Sequence, residues 1–173
     1  MQKPIFIIGY MGSGKSRLAK VLSESLSCSH HDLDDLISQA HGKTIEEIFN
    51  SEGEIAFRKM EKRQLRLLNE SFGVVSMGGG TPCYFNTIKM LNTINRIDTV
   101  FLRTSINNLV KRLSKNKSQR PVLKNFNTNR ILSEYIGKHL FERNEFYNKS
   151  KFIIDTNNKS IDEVVNQIIL TLT

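Results

Sequence analysis

Cysteine is scarce in this 173-residue chain: Cys28 and Cys83 stand far apart and form no C-x-x-C pair. That excludes a disulfide framework and a cysteine zinc site, and both are read as free thiols. No apolar run approaches the ~20 residues that a bilayer-spanning helix requires, which speaks against a membrane span. Repeats, low-complexity tracts and long linkers are also missing, so one domain over residues 1–173 is expected. The chain enters its first apolar run almost at once, which leaves no room for a signal or transit peptide and makes a cytoplasmic location the expectation. His30, His31, His41 and His139 show no ligand spacing and are assigned no role. The net charge is +8, yet no aromatic-interleaved nucleic-acid motif accompanies it. Much of that charge lies in stretches such as Arg58-Lys59-Met60-Glu61-Lys62-Arg63, where interleaved acids suit a solvated helix face.

What is present begins with Pro4-Ile5-Phe6-Ile7-Ile8 followed by Gly9-Tyr10-Met11-Gly12-Ser13-Gly14-Lys15-Ser16. An apolar strand, a glycine loop and Lys-Ser opening a helix is the P-loop arrangement in its required context. The glycines permit backbone torsions and close approach that a Cβ obstructs. Loop amides then form an anion nest, and the helix adds its N-terminal N–H groups and positive dipole end. Gly12, Ser13 and Gly14 are expected to cradle a nucleoside triphosphate. Lys15 reaches toward its β- and γ-phosphates, and Ser16 toward Mg²⁺.

Along the chain, strand and helix signals alternate. Strands are read at Ile5–Ile8, Ser29–Asp32, Val74–Met77, Thr99–Leu102 and Phe152–Asp155. Helices are read at Lys15–Leu26, Leu33–Ala40, about 130–147 and after capping boxes at Thr44–Glu47, Ser51–Glu54 and Ser160–Glu163. Ser105 caps a further helix to about Leu113, and a polar segment, 114–129, follows. Five short apolar strands separated by helices predict an α/β fold, three layers around a parallel sheet. In such sheets the ligand sits beyond the carboxyl ends of the strands. The P-loop, Asp32-Leu33-Asp34-Asp35 and Gly78-Gly79-Gly80 are therefore expected to share one crevice.

Mg²⁺ needs carboxylate support besides Ser16. Many P-loop ATPases supply it from an Asp ending a later apolar strand, but Val74-Val75-Ser76-Met77 and Val100-Phe101-Leu102-Arg103 offer none. Asp32 is the best-placed substitute. Asp34, two residues on, can then point at an acceptor hydroxyl, orient it and take its proton. The competing reading is that one of Asp32, Asp34 and Asp35 caps the helix beginning near Leu33, with Asp35 the strongest candidate. Arg58 lies four residues after Glu54 and three before Glu61. That spacing also fits an ordinary ion-pair ladder on a helix face, and Arg143 beside Glu142 admits the same reading. The three glycines at 78–80 fit either a strand-to-helix turn or close backbone approach to a ligand.

Over essentially its whole length the chain resembles the shikimate kinases. The matching residues are Gly9–Ser16, Asp32-x-Asp34, Ile45-x-Glu47-Ile48-Phe49 and Gly53-Glu54-x-x-Phe57-Arg58-x-x-Glu61. They continue with Gly78-Gly79-Gly80, Arg120-Pro121-Val122-Leu123, Glu142-Arg143-x-x-x-Tyr147 and Asp155-Thr156. The resemblance implies transfer of the ATP γ-phosphoryl group to the 3-hydroxyl of shikimate, on the route to chorismate and the aromatic amino acids. It implies a P-loop kinase fold with strand order 2-3-1-4-5, a shikimate-binding region over 33–61 and a mobile lid over about 113–126. It further implies that Asp34 activates the acceptor and that Asp32 supports Mg²⁺ through water. Arg58 and Arg143 are implied to bind the shikimate carboxylate, Gly79 and Gly80 to contact shikimate through backbone amides, Arg120 to descend from the lid onto the phosphates, and Arg112 to stack on adenine. A monomer with no nucleic-acid or membrane partner is expected. Leu33, Met77 and Arg17 depart from the common pattern without removing a catalytic group. Two alternatives stay open: a gluconate- or nucleotide-type small-molecule kinase, and a basic P-loop ATPase acting on nucleic acid. A catalytically silent interaction domain fits poorly with Lys15, Asp34 and Arg120 all in place.

Overall fold

The computed structural model describes residues 3–68, 73–115, 123, 126 and 128–172. Five parallel strands make one sheet in the order β2-β3-β1-β4-β5. They are β1 (Ile5–Ile8), β2 (Ser29–Asp32), β3 (Gly73–Ser76), β4 (Asp98–Arg103) and β5 (Phe152–Asp155). Around them run α1 (Lys15–Ser25), α2 (Leu33–His41), α3 (Ile45–Leu68), α4 (Thr87–Thr93), α5 (Ile106–Lys115), α6 (Asn129–Tyr147) and α7 (Ile161–Leu172), with a short 3-10 turn at Thr81–Cys83. Among the described residues no helix is long and apolar enough to cross a membrane.

Strand β1 is apolar throughout because both its faces are covered. Ile5 and Ile7 join Leu18, Leu22, Val165 and Ile168 in the layer made by α1 and α7. Phe6 and Ile8 point the other way, into the larger core that holds Leu33, Ile48, Phe57, Leu109 and Ile136. Successive strand side chains alternate between faces, so four residues serve two cores. β1 pairs with β3 on one side and β4 on the other, Ile5 opposite Val74 and Asp98. All strands end at one edge of the sheet, where the segments after β1, β2 and β3 converge.

Several boundaries differ from the sequence reading. β4 gains Asp98 and Arg103, because the parallel ladder to β1 and β5 continues past its apolar centre. The capping boxes at Thr44 and Ser160 form as expected: each backbone N–H bonds to the Glu three residues on, and each Glu N–H bonds back to the hydroxyl. At the third box the chain breaks instead at Gly53, whose φ of 81° lies outside helical space and splits α3 into two runs. Ser114 and Lys115, read as the start of a loop, complete α5.

Candidate active site

The P-loop takes the expected shape from glycine torsions. Gly12 and Gly14 have φ of 79° and 96°, which L side chains adopt only with strain. Gly14 is the left-handed cap on α1. A Cβ on Gly12 would lie 2.9 Å from Leu113 Cγ, so α5 packs directly against the loop. The Lys15 ammonium donates to the Tyr10 carbonyl at 2.9 Å. Arg112 Nη1 donates to the Ser13 and Gly12 carbonyls, at 3.0 and 3.3 Å. Arg112 thereby stands between two crevices. One, of about 400 Å³, is lined by Gly12, Lys15, Ser16, Asp32, Asp34 and Gly79 among others. Its neighbour, of about 380 Å³, lies between the loop and the start of α7, beside Thr156 and Lys159.

Ser16 Oγ donates to Asp32 Oδ2 at 2.8 Å and lies 3.2 Å from Ser76 Oγ. Asp32 also caps α2, its Oδ1 accepting from the Asp34 amide at 3.1 Å. The capping role therefore belongs to Asp32, not Asp35, and it is carried alongside the contact to Ser16 because each task uses a different carboxylate oxygen. Among the described residues no cluster of three or more His, Cys, Asp or Glu side chains could hold a metal by itself. A hydroxyl beside one carboxylate suits Mg²⁺, which keeps several waters and takes other ligands from substrate phosphates.

Asp34 follows in the first turn of α2 and faces the same crevice. Burial raises its carboxyl above the usual carboxylate range, and the Asp32 charge adds to the rise, while Lys15 and Arg58 pull it back. A carboxylate held between a loop lysine and an arginine, with its proton affinity raised, is suited to accept a proton from a hydroxyl.

Arg58 is not on a solvated face: it is 9% exposed and Glu61 only 2%. Its Nη1 donates to Glu61 Oε2 at 2.9 Å, and Nη2 and Nε donate to Glu54 Oε1 at 3.0 and 3.3 Å. The guanidinium carbon lies 4.7 Å from the Tyr84 ring centroid and 5.2 Å from that of Phe57. Glu61 is fixed in turn by the Thr81 hydroxyl. Burial lifts the Glu61 carboxyl, and the Arg58 charge works against that rise. Gly80 lets the guanidinium approach: a Cβ there would lie 2.5 Å from Arg58 Nη2. Gly78 gives similar room to Thr81 and Glu61, whereas a Cβ on Gly79 would meet only ordinary contacts, Arg143 Nη1 among them at 3.7 Å. Arg143 also lies over the Tyr10 ring, 5.5 Å from its centroid, and Tyr147 donates its hydroxyl to the Gly79 carbonyl. Both arginines act electrostatically on Glu54, Cys83 and Tyr84, so they converge on one spot. Burial pushes the Cys83 thiol up to about 11, leaving it protonated despite those two cations.

The structure thus brings Gly12, Ser13, Gly14, Lys15, Ser16, Asp32, Asp34, Arg58, Gly79, Gly80, Arg112 and Arg143 to one end of the sheet. Arg120 and most of the expected lid lie outside the described residues. Of that segment, Leu113 and Leu123 are described and buried. Four side chains at the site carried no assigned role in the sequence: Tyr10, Thr81, Tyr84 and His139. Thr81 and Tyr84 follow the glycines closely, and that proximity was the available signal. Nothing in sequence spacing links Tyr10 to His139.

A crevice beyond the carboxyl ends of a 2-3-1-4-5 sheet, with a P-loop at its floor and Asp32, Asp34 and Gly79 along its wall, defines the class: a small P-loop kinase. The family model described as shikimate kinase matches residues 11–173. A shikimate kinase of Flavobacterium johnsoniae is 41% identical over 167 residues, covering 95% of this chain and 96% of that one. One from Flavobacterium psychrophilum is 39% identical over 168 residues, covering 96% of each. Among solved structures, the shikimate kinase of Bacteroides thetaiotaomicron has a TM-score of 0.89 at 32% identity, covering 98% of both chains. That of Acinetobacter baumannii, solved in complex with shikimate, has a TM-score of 0.86 at 26% identity, covering 99% of this chain and 93% of that one. The chain belongs to the shikimate kinase family. Its activity is the family's, phosphorylation of shikimate in aromatic biosynthesis.

Proposed function

We propose that this crevice transfers the γ-phosphoryl group of ATP to the 3-hydroxyl of shikimate, with the roles divided as follows. The amides of Gly12, Ser13 and Gly14 and the first turn of α1 hold the triphosphate. Lys15 leaves the Tyr10 carbonyl for the β- and γ-phosphates. Arg112, already astride the loop, flanks the adenine in the crevice toward Thr156. Ser16 and Asp32 would hold Mg²⁺, Asp32 through a water; when bound, the ion neutralises charge on the β- and γ-phosphates. Arg120 would reach the same phosphates from the lid.

On the acceptor side Arg58 and Arg143 receive the shikimate carboxylate, since a planar guanidinium matches it with paired donors. The amides of Gly79 and Gly80 border the same space. Asp34 accepts the proton of the 3-hydroxyl as its oxygen bonds to the γ-phosphorus. The bond from that phosphorus to the β,γ-bridging oxygen breaks, and ADP departs with the electron pair. Closure over the pair excludes water, which otherwise competes as acceptor.

One observation carries this reading: Asp34, a buried carboxylate of raised proton affinity, lines the same crevice as Lys15 and lies within electrostatic reach of Arg58. The test is ADP release from ATP and Mg²⁺ with and without shikimate, alongside gluconate and nucleoside monophosphates as acceptors. Shikimate-dependent release supports the reading. Release that is independent of shikimate, or faster with another acceptor, refutes it.

A further inference from the structure

Tyr135, His139, Arg143 and Tyr147 follow one another at intervals of four on α6. That spacing puts them on a single face of the helix. At one end of this stripe the Tyr135 ring packs on Phe126 at 4.4 Å and on the His139 imidazole at 4.2 Å. At the other end Tyr147 bonds to the Gly79 carbonyl. Between them, His139 Nδ1 lies 3.1 Å from the hydroxyl of Tyr10. Tyr10 belongs to the P-loop, is 1% exposed, and carries the Arg143 guanidinium over its ring. One buried ring therefore touches the nucleotide loop, His139 and the acceptor arginine together.

A buried tyrosine hydroxyl requires a partner. Here the partner is Nδ1, which accepts when the imidazole is neutral and carries its proton on Nε2. Among the described residues, the charged and titratable groups that act on His139 are Arg143, Glu142 and Lys138 of α6; Tyr135 of the same helix packs on the imidazole, and Tyr10 faces it from the loop. Burial first, and then the Arg143 charge, disfavour its protonation, so the acceptor lone pair is available at neutral pH. We propose that His139 is a positioning residue for the acceptor: through the Tyr10 hydroxyl it fixes the ring on which Arg143 is seated. The proposal rests on the reading that Arg143 binds the shikimate carboxylate. Protonating His139 removes the Nδ1 acceptor and sets a second cation beside Arg143.

Three variants test this by steady-state ADP release. His139→Leu removes the acceptor and should raise the shikimate KM about fivefold, the scale of one lost hydrogen bond, with the ATP KM held and a modest fall in Tm from the unpaired Tyr10 hydroxyl. His139→Asn, whose amide oxygen takes the place of Nδ1, should restore most of the loss. Tyr10→Phe, which deletes only the hydroxyl, should reproduce the His139→Leu effect and keeps the test open if that variant folds poorly. In the unaltered enzyme the shikimate KM should climb as pH falls below the ordinary imidazole range, about 6.5; in His139→Asn it should stay flat. The proposal is overturned if Tyr10→Phe leaves the shikimate KM unchanged, if both substrates weaken together, or if His139→Asn is no better than His139→Leu. Arg143→Ala separates the two levels of the reading. A normal shikimate KM there removes the carboxylate role itself. A raised KM there with normal Tyr10→Phe kinetics removes only the role of His139.

Discussion

Gly80→Ala isolates the seat of the acceptor arginine. Gly80 has φ −90° and ψ −22°, a conformation alanine adopts without strain. The added methyl therefore acts only through contact. It would stand 2.5 Å from Arg58 Nη2, 2.8 Å from Cζ and 3.1 Å from Nη1. Carbon and nitrogen settle at about 3.5 Å or more, so the guanidinium must retreat by about 1 Å. It cannot retreat freely, because Glu61 holds Nη1 at 2.9 Å and Glu54 holds Nη2 at 3.0 Å. A misplacement of about 1 Å in a substrate-positioning group costs up to about 10²-fold. The shikimate KM should rise by between about 10- and 100-fold while the ATP KM holds, because Gly80 and Arg58 do not line the donor crevice. Initial rates of ADP release with each substrate varied in turn measure both. An unchanged shikimate KM refutes the argument that Gly80 exists to seat Arg58.

Three more outcomes are expected. Asp34→Asn should nearly abolish turnover while nucleotide affinity, read by calorimetry, is kept. Because burial and Asp32 raise the Asp34 pKa in the fold, ionised Asp34 opposes folding at neutral pH; stability is greatest below the unfolded carboxylate range and falls as pH rises through the raised folded value. Asp34→Asn should accordingly raise Tm at pH 7, by a margin that closes as pH is lowered into the carboxylate range. Arg58→Ala should weaken shikimate far more than ATP and, by leaving Glu61 buried without its cation, lower stability by about 3–5 kcal/mol in urea unfolding; equal losses for both substrates would make Arg58 purely structural. Chelation by EDTA should stop turnover and added Mg²⁺ restore it, with Ser16→Ala raising the Mg²⁺ concentration needed for half-maximal rate.

Much of this was legible from local patterns. The strands at Ile5–Ile8 and Phe152–Asp155 sit where apolar runs put them, and the P-loop announces itself through residues adjacent in sequence. Family resemblance supplied the strand order that the sheet shows. What stayed hidden depends on distant contacts. Arg58 and Glu61 have the spacing of a surface ion pair, and the arrival of Gly80, Thr81 and Tyr84 from the segment after β3 helps to bury them. Asp32 reads as either a helix cap or a metal-side carboxylate, and in the fold one oxygen caps α2 while the other accepts from Ser16. His139 has no motif around it, and its partner Tyr10 is 129 residues away. Gly53 defeats the Ser51 capping box because backbone torsion, not side-chain chemistry, decides that boundary.

The central claim is that Asp34 stands at the acceptor hydroxyl while Arg58 and Arg143 hold the acceptor carboxylate. A crystal structure with shikimate and a non-hydrolysable ATP analogue tests it most directly. The account predicts the carboxylate paired to both guanidinium groups, the 3-hydroxyl within about 3 Å of an Asp34 oxygen, and the γ-phosphate in line beyond it. A carboxylate bound away from Arg58 and Arg143, or a 3-hydroxyl turned away from Asp34, would contradict it.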